Sequence, residues 1–178
     1  MFPNWFKDVS PYFERKCPTV PLRALQIGTY TGDATQWLLD NREVISIDDV
    51  DTWEGSDEVK HESLDFSSVE QYYDSRFVGN DKVIKNKMTS DSFFNTNNKT
   101  FNFIYIDGDH TALQTALDGL NAFKVLEQGG VMAFDDYGWR EGGKAFLEPK
   151  RGIDAFLRIC EGEIKLLEDG YQIWVVKC

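Results

Sequence analysis

The run Phe101–His110, FNFIYIDGDH, decides how the chain is read. A mostly apolar, β-branched and aromatic stretch ends abruptly in Asp107, Asp109 and His110, the pattern of a buried central strand whose carboxyl end opens into a site. Val131–Tyr137, VMAFDDY, repeats the pattern and ends in Asp135 and Asp136. In open α/β sheets ligands bind at that edge. Two neighbouring strands would therefore bring several carboxylates and one imidazole together, a set suited to metal-assisted transfer.

Upstream, Leu22–Gly28 (LRALQIG) reads as a strand and Thr31–Leu39 as a helix, joined through Gly28-Thr29-Tyr30-Thr31-Gly32. Glycines at a strand-to-helix turn let the backbone approach a ligand, and the helix start supplies free N–H groups. The spacing is Gly-x-x-x-Gly rather than Gly-x-Gly-x-x-Gly, which argues against a pyrophosphate cradle and a nicotinamide cofactor. A tight structural turn explains the glycine pair alone equally well. Val44–Asp48 (VISID) is a second strand ending in an acid, about twenty residues past the first glycine, where nucleotide folds keep a ribose-binding carboxylate. Strand, glycine turn, helix, strand and acid together point to a ribose-bearing cofactor. Asp49, Asp51 and the polar segment through Glu62 read as solvated loop. A helix over Leu64–Phe77 and a short strand over Lys82–Lys85 follow; Thr89 or Ser90 then caps the next helix or faces a base.

Downstream, Thr111–Leu126 has the clearest helical periodicity, with Asp109 as its cap and Gly129-Gly130 ending it. Val131–Asp135 is the fifth strand. After a loop containing Trp139 and Gly142-Gly143, a helix spans Ile153–Cys160. Glu163–Leu167 and Tyr171–Lys177 flank Asp169-Gly170, a hairpin signal. At the other end Phe2, Trp5, Phe6, Val9 and Phe13 recur at helical spacing, with Pro11 expected to break or kink the element. Residues 1–21 read as a helical segment and linker covering one end of the core; a flap over a pocket and a homodimer contact are the other uses open to it. Residues 22–178 read as one domain.

Thirty acidic residues against nineteen Lys and Arg give a formal charge of −11 over 178 residues, which argues against nucleic acid as a partner because phosphate contacts need clustered cations. Cys17, Cys160 and Cys178 have neither zinc nor disulfide spacing, so reduced thiols and a cytoplasmic setting are expected. No apolar run approaches membrane-spanning length, and the N-terminus lacks the signature of an export signal.

Five strands alternating with helices before a terminal hairpin resemble the class I methyltransferases that use S-adenosylmethionine. LQIGTYTGDATQWLL is similar to that family's first motif, VISID to its acidic second motif, and FIYIDGDH with GGVMAFDDYGW to its later ones. The resemblance is closest to the metal-dependent O-methyltransferases. KRGIDAFL, Asp-Gly-Asp-His and Asp-Asp-Tyr look more like the macrocin type, which methylates sugar hydroxyls, than the catechol and caffeoyl-coenzyme A type. It implies a Rossmann-like, doubly wound α/β fold: a seven-stranded, mostly parallel sheet of order 3-2-1-4-5-7-6, its last strand antiparallel, with helices on both faces. It also implies that Gly28, Tyr30 and Gly32 surround the methionine part of the cofactor, with Gln26 beside them where the catechol branch has glutamate. Asp48 would hold the ribose, and Thr89 and Ser90 would lie near the adenine. Asp107, Asp135 and Asp136 correspond to the metal ligands, Asp136 replacing an asparagine of the catechol branch, and His110 to the catalytic base.

Such a site makes chemical sense. A hard divalent cation, magnesium first and manganese next, can orient substrate oxygens and acidify the attacking hydroxyl, while His110 takes the proton near neutral pH. The expected substrate is a small hydroxylated molecule such as a sugar or polyol. A metal-independent methyltransferase, in which Asp107 only shapes the pocket, and a non-catalytic cofactor-binding domain are the competing readings.

Overall fold

The computed structural model describes residues 2–55, 64–140 and 145–178; Gly142-Gly143 and the end of the polar segment through Glu62 lie outside them. Seven strands form one sheet in the order β3-β2-β1-β4-β5-β7-β6. They are β1 (Leu22–Ile27), β2 (Val44–Asp51), β3 (Val83–Lys87), β4 (Phe101–Ile106), β5 (Leu126–Phe134), β6 (Ile164–Asp169) and β7 (Ile173–Lys177). The first five pair in parallel and β7 runs antiparallel to both neighbours, which is the expected topology. Among the described residues no helix is long and apolar enough to cross a membrane.

Two-residue alternation along the central strands gives the sheet two apolar faces. Leu25, Ile27, Ile104, Ile106, Met132 and Phe134 face one side, covered by helices α4 (Ser90–Thr96), α5 (Ala112–Val125) and α6 (Pro149–Ile159). Ala24, Phe103, Tyr105, Ala133 and Trp174 face the other, under α1 (Phe6–Lys16) and α2 (Asp33–Asn41). A third cluster joins α3 (Phe66–Phe77) to Trp53.

Helix α1 is part of this core. Phe13 is fully buried and meets Phe103, Tyr105 and Trp174 edge-on. The expected break at Pro11 does not occur, and the helix runs through it. A proline there removes the N–H that would bond to the Lys7 carbonyl. The Ser10 hydroxyl donates to that carbonyl instead, at 3.2 Å.

Several boundaries differ from the sequence reading, three of them for a reason visible in the structure. Helix α5 stops at Val125 because Leu126 already pairs with Phe101, and the register shift before Val131 absorbs Gly129 and Gly130 within β5. Helix α6 starts four residues early, at Pro149, a residue whose fixed φ suits a first helical turn. Strand β2 runs three residues past Asp48, so Asp49 and Asp51 are not solvated loop. Asp49 is wholly buried, accepting hydrogen bonds from the Thr35 and Tyr73 hydroxyls.

Burial pushes the Asp49 carboxyl up to about 7 despite those two donors, from an ordinary value of 3.8. A raised acid costs the fold nothing while it is protonated in both states, and the penalty grows as pH rises through the interval. Between pH 4 and pH 8, urea titrations should show Asp49→Asn gaining on the parent by up to about 4 kcal/mol, with a constant difference below pH 3.8.

Candidate active site

The loop after β1 turns sharply, with Gly28 at φ 79°, Tyr30 at 51° and Gly32 at 78°. A side chain at Gly28 is excluded by the backbone itself, since its Cβ would stand 1.8 Å from the Asp107 carbonyl oxygen. The glycine turn and the end of β4 are therefore in backbone contact. Asp51, at the end of β2, secures the turn from the opposite side. Its Oδ2 accepts the N–H groups of Thr29 and Tyr30, each at 2.8 Å, and its Oδ1 accepts that of Trp53 at 2.7 Å. The Trp53 indole N–H donates back to the Tyr30 carbonyl. Gln26 also braces the turn, donating to the Gly28 carbonyl at 3.1 Å while its Oε1 accepts from Thr35.

Asp48 does not belong to this group. It lies fully buried inside β2, three residues short of the sheet edge, where Lys99 Nζ reaches both of its oxygens at 2.7 and 2.9 Å. The acid standing at the edge beside the glycine turn is Asp51.

Between the N-terminal segment and the glycine turn lies a cavity of about 50 Å³, walled by Trp5, Phe6, Gln26, Tyr30, Tyr105 and Asp107 among others. Trp5 stacks on Tyr30 at 4.8 Å. The hydroxyls of Thr29 and Tyr30, two residues that line it, are buried with no hydrogen-bond partner among the described residues, and an orphaned buried hydroxyl is costly.

Asp107 links the cavity to the acid cluster. His110 Nε2 lies 3.0 Å from Asp136 Oδ2 and 3.9 Å from Asp107 Oδ1, and the three side chains offer ligand atoms all within 4.8 Å of one another. Trp139 packs edge-on against the His110 ring. Asp136 takes a left-handed φ of 57°, uncommon for a residue with a side chain and a frequent mark of a site. Burial, and next the charge of Asp135, raise the Asp107 carboxyl well above the usual carboxylate range. Asp135, pushed up to about 6 by burial and then by Asp136, does not join the cluster as the sequence reading expected. Its carboxylate turns inward, accepting from the Tyr105 hydroxyl at 2.5 Å, Gln172 Nε2 at 3.1 Å and the Asp136 N–H at 2.8 Å.

Thr89 caps α4 by accepting the Ser92 N–H, and Ser90 Oγ lies 3.2 Å from Gln114 Nε2. The cap of α5 is Thr111, while Asp109 accepts the Thr111 N–H one turn earlier. Of the residues named from the sequence, the structure brings Gly28, Tyr30, Gly32, Gln26, Asp107, His110 and Asp136 together at this edge. Beside them stand residues that the sequence reading did not assign to the site: Asp51, legible only by counting β2 to its end, and Tyr105, Tyr171 and Gln172, for which a sequence carries no local signal.

A sheet of this order, with a glycine turn after its first strand and acids at its carboxyl edge, defines the class I S-adenosylmethionine-dependent methyltransferases. Residues 25–137 match the model of the methyltransferase domain family, and the chain belongs to that family. Among solved structures it is similar to the O-methyltransferase of Bacillus cereus in complex with S-adenosylhomocysteine, at 18% identity over 100% of this chain and 82% of that one, with a TM-score of 0.64. It is also similar to the N-methyltransferase NodS of Bradyrhizobium japonicum with the same ligand, at 12% identity, 98% and 88% coverage and a TM-score of 0.64. Aeropyrum pernix fibrillarin with bound S-adenosylmethionine gives 16%, 87%, 66% and 0.58. A search of curated proteins returns no match.

Because Gly28 meets backbone rather than a movable side chain, Gly28→Ala should cost more than about 3 kcal/mol, read as a lowered denaturant midpoint. Gly79→Ala, at a similar φ but with nothing near it, should cost only about 1 kcal/mol.

Proposed function

We propose that the chain is an S-adenosylmethionine-dependent O-methyltransferase that acts, with a divalent cation, on a hydroxyl of a small sugar- or polyol-like molecule. The observation that carries this reading is the position of Asp107, which lines the cavity beside the glycine turn and also belongs to the cluster with His110 and Asp136. A methyl donor in the first and an acceptor at the second would meet at one carboxylate. Neighbours of the same fold bind S-adenosylmethionine or its product. The formal charge of −11 favours a small acceptor over a nucleic acid.

In this reading Asp51, rather than Asp48, holds the ribose hydroxyls. The glycine turn and the hydroxyls of Thr29 and Tyr30 face the amino-acid end of the donor, and Thr89 and Ser90 lie toward the adenine. The cation fits the donor set. Asp107 and Asp136 offer hard oxygens close to one another, and a cation there would offset the burial and the neighbouring carboxylates that raise the Asp107 carboxyl. Asp107 and Asp136 would hold the ion, with Asp135 behind them fixing the turn. When bound, the ion supplies Lewis acidity toward the acceptor hydroxyl. Magnesium is the first choice, manganese the next. His110 takes the hydroxyl proton as the oxygen attacks the methyl carbon and the carbon–sulfur bond breaks, and Asp136 on Nε2 orients the ring for that task.

Calorimetry with S-adenosylhomocysteine separates the two acids of β2. Asp51→Asn should weaken binding about tenfold or more, whereas Asp48→Asn should change stability and leave affinity nearly unaltered. Chelation should abolish methyl transfer to the acceptor, and undiminished turnover would remove the cation from the mechanism. His110→Ala should lower turnover by about 10²-fold or more with Mn²⁺ affinity retained; loss of both would make His110 a ligand rather than the base.

A further inference from the structure

The antiparallel register of β5 on β7 continues past the ends of the strands. Phe134 pairs with Ile173, and the next two positions on each side meet through their side chains. Gln172 Nε2 donates to Asp135 Oδ1 at 3.1 Å, and the Tyr171 hydroxyl donates to Asp136 Oδ1 at 2.6 Å. Two consecutive residues of the C-terminal hairpin thus serve two consecutive carboxylates at the sheet edge.

Tyr171 is held in place on three sides. Its carbonyl accepts the Gly138 N–H at 3.2 Å. Its ring lies where a side chain at Gly138 would be, 2.5 Å from that Cβ position. Its own N–H donates to the Tyr12 hydroxyl of α1, also at 3.2 Å. At the far end of this chain, Asp136 has one oxygen on Tyr171 and the other on His110. Because Asp136 sits in a left-handed conformation, its side-chain direction is set by what grips it rather than by a regular strand.

We propose that Tyr171 is a positioning residue of the site. Its phenol fixes the Asp136 carboxylate against His110, and through the Tyr12 hydroxyl that grip depends on α1 being docked. The proposal builds on the functional reading above, yet its geometry stands apart from it, since the hydrogen bonds are made between the chain's own residues. Groups that orient a ligating carboxylate typically change metal affinity or activity by about 10- to 100-fold when removed. Tyr171 is 40% exposed, so removing its hydroxyl opens no hole in the core.

The test compares Tyr171→Phe and Tyr12→Phe with the parent at one fixed pH. Three quantities are read: the melting temperature, the Mn²⁺ dissociation constant in the presence of S-adenosylhomocysteine, and the Cε1–H resonance of His110, one of two histidines in the chain. Tyr171→Phe should weaken Mn²⁺ about tenfold and shift the His110 resonance, with the melting temperature within a few degrees of the parent. Tyr12→Phe should move both in the same direction by less. A fall in melting temperature with Mn²⁺ affinity and the His110 resonance unmoved would reduce Tyr171 to a structural contact and overturn the proposal. If the parent itself binds no Mn²⁺, the cation reading fails, and the His110 resonance alone decides whether Tyr171 positions the pair.

Discussion

The backbone contact between Gly28 and Asp107 governs the arrangement of the molecule. Strands β1 and β4 are neighbours in the sheet, yet the chain leaves β1 toward β2 and β3 on one side and leaves β4 toward β5 on the other. At such a switch point the loops after the two strands part and leave a crevice. The crevice is narrow here because a residue without a side chain lets the two loops touch. The cavity beside the glycine turn and the acid cluster are thereby brought side by side, and Asp107 belongs to both. The bracing by Asp51 from β2 and by Gln26 from β1 maintains that contact.

The protein also places several carboxyl groups inside. Asp49, Asp118 and Asp135 are buried, and each is raised above the normal carboxylate range chiefly by burial. Each has donors: Thr35 and Tyr73 for the first, Gln114 for the second, Tyr105 and Gln172 for the third. Buried polar groups that are fully partnered specify one arrangement where apolar packing would tolerate several. Asp135 illustrates the division of labour, since by facing inward it fixes the backbone from which Asp136 projects outward.

Much of this was legible from the chain because strands buried on both faces write themselves as apolar runs. The ends of FNFIYIDGDH and VMAFDDY located the carboxyl edge, and the Asp169-Gly170 turn located the antiparallel hairpin that closes the sheet order. Two kinds of information were not local. Asp48 reads as the edge because it is the first acid after an apolar run, whereas β2 reaches the edge only at Asp51. A buried Asp such as Asp49 looks like loop until Thr35 and Tyr73, from other elements, supply its donors. Likewise Asp135 and Asp136 are alike in sequence. What makes one a brace and the other part of the cluster is a pair of residues some thirty-five positions later, adjoining only through the β5–β7 register.

That register gives the length of the hairpin turn a chemical meaning. In a strand pair, moving one residue along reverses which side each side chain takes. A single insertion between Asp169 and Tyr171 that slid β7 by one position would put Gln172 and Tyr171 out of step with Asp135 and Asp136, so that at most one carboxylate met the other's partner and the second faced a residue that is neither. The turn at Gly170 must therefore keep its count.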